Sequence, residues 1–414
     1  MTADVRTHDE AVGFVLRLGR ALHVHGYTSH GLEAVLMDMS AHLGLIGQFF
    51  TTPTSLSASF GEIEQQRTHL IRIAPGEVNL GKLSALDEVT QRVLRDEMTP
   101  VEGSAAIGEI VAAPHAYPQW LQMIAYGLLS AAVCRLLAGG VNEMLASFIV
   151  GLLTGVLALT SERVPVVAGM FELLAAFTAS LLVNVFSASH VIRVSTALTI
   201  LSGVIVLMPG LTLTLALAEL SAKHLVSGTA RLAGAFIIFL AITFGVAVGS
   251  EVSQAIFGPA PAAVTRAAAE WTLWASIVAA PLALAVLLRA RPRDTWVILL
   301  VGVMGFAGAT AGAKLVGPQL GAGLGALTVA TLSNLYERWL NRPATVPLVP
   351  GVLLLVPGSM GFRSFAALLD QKVVVGVDIA FGVIMTAISL VAGLLLANIL
   401  VPPTRTRYTV GRNA

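Results

Sequence analysis

Residues 206–249 read VLMPGLTLTLALAELSAKHLVSGTARLAGAFIIFLAITFGVAVG, and residues 354–397 read LLVPGSMGFRSFAALLDQKVVVGVDIAFGVIMTAISLVAGLLLA. Laid side by side without a gap, the two stretches match at a single offset. Pro209-Gly210 falls on Pro357-Gly358, Gly228 on Gly376, Gly234 on Gly382 and Gly245 on Gly393. Proline and glycine punctuate a backbone, so agreement at them means shared bends and close contacts, not merely shared apolarity. Just upstream, with a shift of two residues, TASLLVN at 178–184 matches TVATLSN at 328–334 and pairs Asn184 with Asn334. The spacing predicts an internal duplication.

A membrane-spanning helix needs about 20 apolar residues. Ten such spans are expected, near 117–137, 141–159, 165–185, 192–217, 226–248, 271–288, 295–313, 315–335, 345–369 and 373–400. Only Lys314 to Pro318 part the seventh from the eighth, which leaves a broken or re-entrant pair open there. Five spans per copy is an odd number, so the second copy enters the membrane from the opposite face. Inverted repeats of that kind mark many secondary transporters, whose sites lie at discontinuous helices near the midplane.

The chain has 414 residues, 56% of them hydrophobic and only 12% charged, about half the charge of an ordinary soluble domain. Residues 1–116 hold 14 acidic and 8 basic side chains, 22 of the 49 in the chain (25 Lys+Arg and 24 Asp+Glu). This composition excludes a cytosolic enzyme, a disordered chain and a disulfide-framed or collagenous secreted protein. The acidic balance of the first part argues against nucleic acid as a partner. The fold class expected is an α-helical polytopic membrane protein of about ten transmembrane helices in two inverted five-helix repeats, with an N-terminal soluble α+β domain. The boundaries expected are 1–116 for that domain, 117–250 and 271–402 for the repeats, 251–270 for their linker and 403–414 for a tail.

In the first part, apolar positions from Val12 to Leu22 give a helix that stops at Gly26. A second follows with Thr28 or Ser29 as its cap and Glu33 in its first turn. Strand-like runs at 46–51, 54–60 and 67–73 come next, then helices near 80–98 and 101–112. His23, His25 and His30 invite a metal reading, but two histidines two apart on a helix point about 200° away from each other, and no metal is expected. The lone Cys134 permits no internal disulfide. No apolar leader is read in the first 20 residues, so this part is expected to stay in the cytoplasm, with the C-terminus on the same side. That choice puts eleven Lys and Arg in cytoplasmic loops and tail against six outside, in line with the positive-inside rule.

Pro209 and Pro357 cannot donate a backbone hydrogen bond. They are expected to free the carbonyls of Ile205 and Leu353, while the glycine beside each opens a half-helix N-terminus suited to a carboxylate. Acids within spans are costly and mark function. Glu172, seven residues into the third span, and then Glu219 are the candidate proton carriers. Arg363, Asp370 and Asp378 are further charges near the second Pro-Gly. GATAGAKL at 308–315 looks like a phosphate loop but lacks its second glycine and its Ser/Thr, so no nucleotide or other cofactor is expected. The glycines of GPQLGAGLG at 317–325 read as close helix packing.

The run from Gly26 and Glu33 through TTPTSLSASF and RTHLIRI, with LMPGLTLTLALAEL and VPLVPGVLLLVPGSMGF, resembles the bacterial threonine/serine exporter family over nearly the whole chain. The resemblance implies an exporter of L-threonine and L-serine in the bacterial cytoplasmic membrane, driven by the proton motive force. In that reading the substrate carboxylate meets the amides after Pro209-Gly210 or Pro357-Gly358. Its ammonium meets freed carbonyls or Glu172, and its hydroxyl meets Asn184, Thr212, Ser359 or Asn334. Related two-component systems, linked to succinate, make a dicarboxylate exporter the alternative, with Arg363 or Lys314 as a cationic partner. A membrane-anchored enzyme with a catalytic N-terminal domain is a second alternative. The partners expected are a small-molecule substrate and the lipid bilayer, with a homo-oligomer left open.

Overall fold

Helix α1 (Thr2–Val24) and helix α2 (Ser29–His42) lead into a three-stranded antiparallel sheet of β1 (Gly47–Thr52), β2 (Ser55–Phe60) and β3 (Arg67–Arg72). Helices α3 (Leu80–Leu94) and α4 (Pro100–Ala112) follow. This computed structural model describes residues 2–74, 76–188, 194–258 and 268–403. The strands and helices fall where apolar alternation and the helical stripe put them. The reason for α4's start is explicit: Thr99 and Glu102 form a reciprocal capping box with Pro100 at the first helical position. The cap of α2 departs from expectation. Thr28 makes no side-chain cap bond, and Glu33 lies beyond the first turn, where it accepts from the Thr51 amide at 2.7 Å and hydroxyl at 2.8 Å. Its carboxylate ties α2 to the sheet instead.

The remaining chain is helical: α5 (Gln119–Leu136), α6 (Val141–Ser161), α7 (Pro165–Ala168), α8 (Phe171–Ala188), α9 (Thr196–Gly203), α10 (Gly210–Ser221) and α11 (Leu225–Phe257). Then come α12 (Glu270–Leu287), α13 (Thr295–Val316), α14 (Pro318–Leu340), α15 (Thr345–Leu355), α16 (Gly358–Leu369) and α17 (Val373–Leu400). Among the described residues seven helices are long and apolar enough to cross a membrane. An eighth crossing arises if α9 and α10, bent by 53°, count as one. The protein is a multi-pass membrane protein. Ten spans are expected from the sequence; α5 and α14 are long enough to cross but are less apolar than the seven or eight. Gln122 of α5 and Asn334 and Glu337 of α14 are buried against other helices, so sequence hydropathy understates how these two sit in the bundle. The third span begins at Phe171, not 165, because α7 ends at Gly169 after a single turn. Residues 315–335 form no re-entrant loop: Gly317, at φ 89°, reverses the chain, and α14 packs back along α13 with Gly321 against Ala313. Part of the expected linker (259–267), Arg193 and the tail from 404 lie outside the described residues.

Contacts repeat along with the sequence. Gly228 packs on Ala216 and Leu220, and Gly376 packs on Ser364 and Leu368. Gly245 packs on Leu173 and Ala176, and Gly393 on Gly323 and Ala326. The two Pro-Gly breaks have the same backbone, φ −79° and ψ 40° at Pro209, φ −78° and ψ 36° at Pro357. The turns that end α5 and α12 also correspond, with Ala138 and Arg289 both left-handed at φ 66° and 54°.

All five tryptophans are exposed near helix ends. Trp120, Trp296 and Trp339 stand at the ends nearer residues 2–112, and Trp271 and Trp274 at the far end of α12. That is the double aromatic belt of a membrane protein. The first 112 residues do not sit apart from the helices. One apolar core runs from Phe14, Leu36 and Leu86 into Ala285, Ile298, Val329 and Val352.

Candidate functional site

The two Pro-Gly breaks meet. A side-chain carbon on Gly210 would lie 3.2 Å from the Cα of Gly358, and one on Gly358 would lie 3.6 Å from the Cα of Gly210. Only two glycines let the starts of α10 and α16 come this close. Above this contact lies a cavity of about 570 Å3 lined by residues 205–212, by Val356, Gly358 and Ser359, and by apolar side chains of α5 and α12. It falls within the range of about 300–1,000 Å3 usual for small-molecule sites. Its polar lining comes from Thr212, Ser359, Tyr126 and, at the mouth, Glu77. Each helix start carries first-turn amides without an intrahelical partner and roughly half a positive charge. Two such ends at one point in an apolar cavity favour an anion.

Of the two carbonyls expected to be free, that of Ile205 is engaged, and so is that of neighbouring Met208. Ile205 O accepts from the Met208 amide at 3.2 Å and Met208 O from the Gly210 amide at 2.8 Å, because a 3₁₀ turn replaces the lost helical bonds. Each carbonyl keeps a second lone pair.

The N-terminal elements close over the cavity mouth. Helix α12 ends with Arg289 in the left-handed region, a position that usually needs glycine and costs about 1–2 kcal/mol otherwise. Its last carbonyls are capped by another helix: the Leu80 amide donates to Leu288 O at 2.9 Å and the Gly81 amide to Arg289 O at 3.1 Å. The start of α3 thus stacks on the end of α12, positive end to negative end. The Arg289 guanidinium bonds Glu77 at 3.0 Å and Glu162, just past α6, at 2.7 Å. Beside it Glu88 accepts from both Arg291 and Arg293 at 2.6 Å. Burial pushes the Glu88 carboxyl up, but the two guanidiniums outweigh it and hold it below the usual range.

His25 lies next to this junction, with Nε2 buried and without a hydrogen bond among the described residues. Burial, then Lys82 and Arg289, push its pKa down to about 4. The unfolded chain binds a proton near pH 6.5 while the folded one stays neutral, so stability is full above about 6.5 and is lost as pH falls toward 4. Discounted for partial exposure, the loss is about 1–2 kcal/mol. The protection factors of the Leu80 and Gly81 amides, taken against the intrinsic exchange rate at each pH, are expected to fall between pH 7 and pH 5 and to lose that dependence in His25→Asn. An unchanged pH dependence in the variant would remove His25 from the account.

The other sequence candidates are spread out. Thr212 and Ser359 line the cavity, Pro209, Gly210 and Gly358 form its floor, and Pro357 stands just before Gly358 without lining it. Asn184 and Asn334 do not line it. Asn184 donates to Ser180 O at 2.8 Å, and Asn334 to Asn398 at 3.0 Å and to Val401 O at 2.8 Å. Glu172 is only half-buried, on the first turn of α8, because the third span begins there. Glu219 is buried and shares the Arg231 Nε proton between its two oxygens at 3.1 and 3.0 Å. Arg363 lines a second cavity at the far end of α16. Tyr126, Glu77 and Arg289 were not legible as site residues. Their only sequence signal is the basic triplet at 289, 291 and 293. The side chain of His30 lies outside the described residues.

Residues 13–253 match the family described as "Putative threonine/serine exporter", and residues 272–400 match "Threonine/Serine exporter, ThrE". Pheromone-regulated membrane protein 10 of Saccharomyces cerevisiae is 26% identical over 359 residues, 85% of this chain and 46% of its own length. The Eremothecium gossypii protein of that name is 25% identical over 361 residues, 85% and 48%. The Candida albicans one is 27% identical over 371 residues, 85% and 33%. The chain therefore spans a third to a half of the length of these curated relatives, which are fungal. No solved structure matches.

Proposed function

Because this chain belongs to the threonine/serine exporter family, a family of transporters rather than enzymes, we propose that it is a secondary active exporter of small polar metabolites. L-Threonine and L-serine are its substrates and the proton motive force its drive. The observation that carries this reading is the meeting of two half-helix starts at Gly210 and Gly358 on the floor of a mostly apolar cavity. The substrate carboxylate takes the first-turn amides there. Its hydroxyl takes Thr212 or Ser359, and its ammonium the second lone pairs of the 205–208 carbonyls.

The two five-helix halves are proposed as inverted copies, with residues 2–112 and the C-terminus in the cytoplasm. The repeated glycine contacts and the aromatic belts support this. Glu64→Cys should then react from one face of the membrane only and Lys372→Cys from the other. Reaction of both from one face would sink the topology.

Glu219 is the first candidate to carry the proton, since it is the buried acid nearest in sequence to a break, and Glu172 is the second. A force of about 150 mV is worth about 3.5 kcal/mol per charge. At 1.4 kcal/mol per tenfold that sustains a roughly 300-fold gradient.

The purified chain in liposomes with an imposed pH gradient should accumulate L-threonine, and Glu219→Gln should exchange it without accumulating it. A chain that moves succinate but not threonine would favour the dicarboxylate reading. The site lends that reading one specific support, because two positive helix ends and no acid at the floor can receive two carboxylates.

A further inference from the structure

The second cavity, about 610 Å3, opens at the end of the molecule away from residues 2–112. Among its walls are Ala138 past α5, Leu198 and Leu201 of α9, Arg363 and Ala367 of α16, and Asp370 and Lys372 just past it. Ser359, Arg363, Ala366 and Asp370 stand at i, i+4, i+7 and i+11, one face of one helix. That face begins at the central cavity, which Ser359 lines, and ends in this one. Arg363 stands five residues past the break, about 7.5 Å along the axis, within an apolar crossing that runs from Thr345 to Leu369.

Arg363 is exposed, lines the cavity and has no hydrogen-bond or ion-pair partner among the described residues. Asp370 on the same face is engaged by Lys372 at 3.3 Å. Arg231, Arg289 and Arg342, by contrast, each hold a carboxylate. An unpaired cation at that depth is costly unless water and an anion reach it. The cavity admits the water.

We propose that the cavity around Arg363 is a second carboxylate site, which receives the substrate after it leaves the two helix starts. The sequential role rests on the transport reading above. The site itself does not.

Ala367→Cys places a thiol in the cavity wall, and the parent chain, whose only cysteine is buried, supplies the background. Full-length chain in lipid vesicles is labelled from the α16 side with an anionic and a cationic methanethiosulfonate, each normalised to its rate with a free thiol. The anionic reagent should react several-fold faster, Arg363→Gln should erase the preference, and Arg363→Lys should keep it. L-Threonine should slow labelling wherever the cation is present and not in Arg363→Gln. A preference that survives Arg363→Gln, or none at all, overturns the site. Slowing by succinate alone keeps the site and replaces the amino acid as cargo. Slowing by neither ligand overturns the receiving role.

Discussion

Arg231→Ala is expected to destabilise the protein by about 3–5 kcal/mol, because it leaves a buried carboxylate without its cation. Glu219 is 5% exposed and Arg231 18%, so neither charge is much relieved by solvent. The pair also reaches beyond the helices. Arg231 approaches Ser29 Oγ at 3.5 Å, and Ser29 Oγ and Ser227 Oγ lie 2.8 Å apart, joining the start of α2 to the start of α11. Loss of the guanidinium therefore weakens the docking of the N-terminal elements as well as the bundle. The double variant Arg231→Met with Glu219→Leu removes both charges and should recover most of the loss, since a well-packed apolar pair often replaces an ion pair at no net cost. Denaturant unfolding in a fixed detergent reads both. If the single variant unfolds at the parent's midpoint, the Glu219–Arg231 pair carries little of the stability, and the assignment of Glu219 as the first proton carrier needs another partner.

Which parts of this were legible in the sequence follows from what proline and glycine do. Pro209-Gly210 and Pro357-Gly358 dictate backbone breaks wherever they stand, so their matched dihedrals could be read in advance. The glycines at 228, 376, 245 and 393 forecast close packing for the same reason. The correspondence of Ala138 with Arg289 could not be read, because neither residue advertises a left-handed turn. The identity of the first helices of each half rested on backbone alone. Basic residues at 289, 291 and 293 signalled sidedness, but two specific carboxylates, Glu77 and Glu88, meet them, and such pairs between segments about 200 residues apart leave no local pattern. Helices α5 and α14, read from the sequence as spans, carry Gln122 and Asn334 among their apolar residues, and both side chains are buried. Glu172 is the opposite case. Apolar neighbours suggested deep burial, and the interruption at Gly169 moved the acid to a helix start.

Gly210→Val is expected to cut transport at subsaturating substrate by about 5- to 150-fold while leaving a folded, inserted protein. A carbon added at Gly210 would collide with the Val356 side chain and sit 3.2 and 3.3 Å from the Cα and N of Gly358. Val356 can turn away, but the Gly358 backbone cannot, so α10 and α16 must part. Overpacking of this kind costs about 1–3 kcal/mol, small beside a bundle of this size but placed at the one point where two helix starts share an anion. If a separation of an ångström or so removes one of the two starts from the substrate, a loss of about 1–3 kcal/mol in binding corresponds to about 5- to 150-fold in transport at subsaturating substrate. Gly234→Val is the matched control: it is also a repeat position and also lies in a membrane helix, but no atom stands within 4 Å of the carbon it would add. Its transport should equal the parent's. Gly210→Ala combined with Val356→Ala removes the side-chain collision and keeps only the backbone crowding, so it should recover more activity than Gly210→Val. Equal, parental transport in Gly210→Val and Gly234→Val would mean that the two breaks need not touch for the protein to work, and the carboxylate would then have to be sought at one helix start alone.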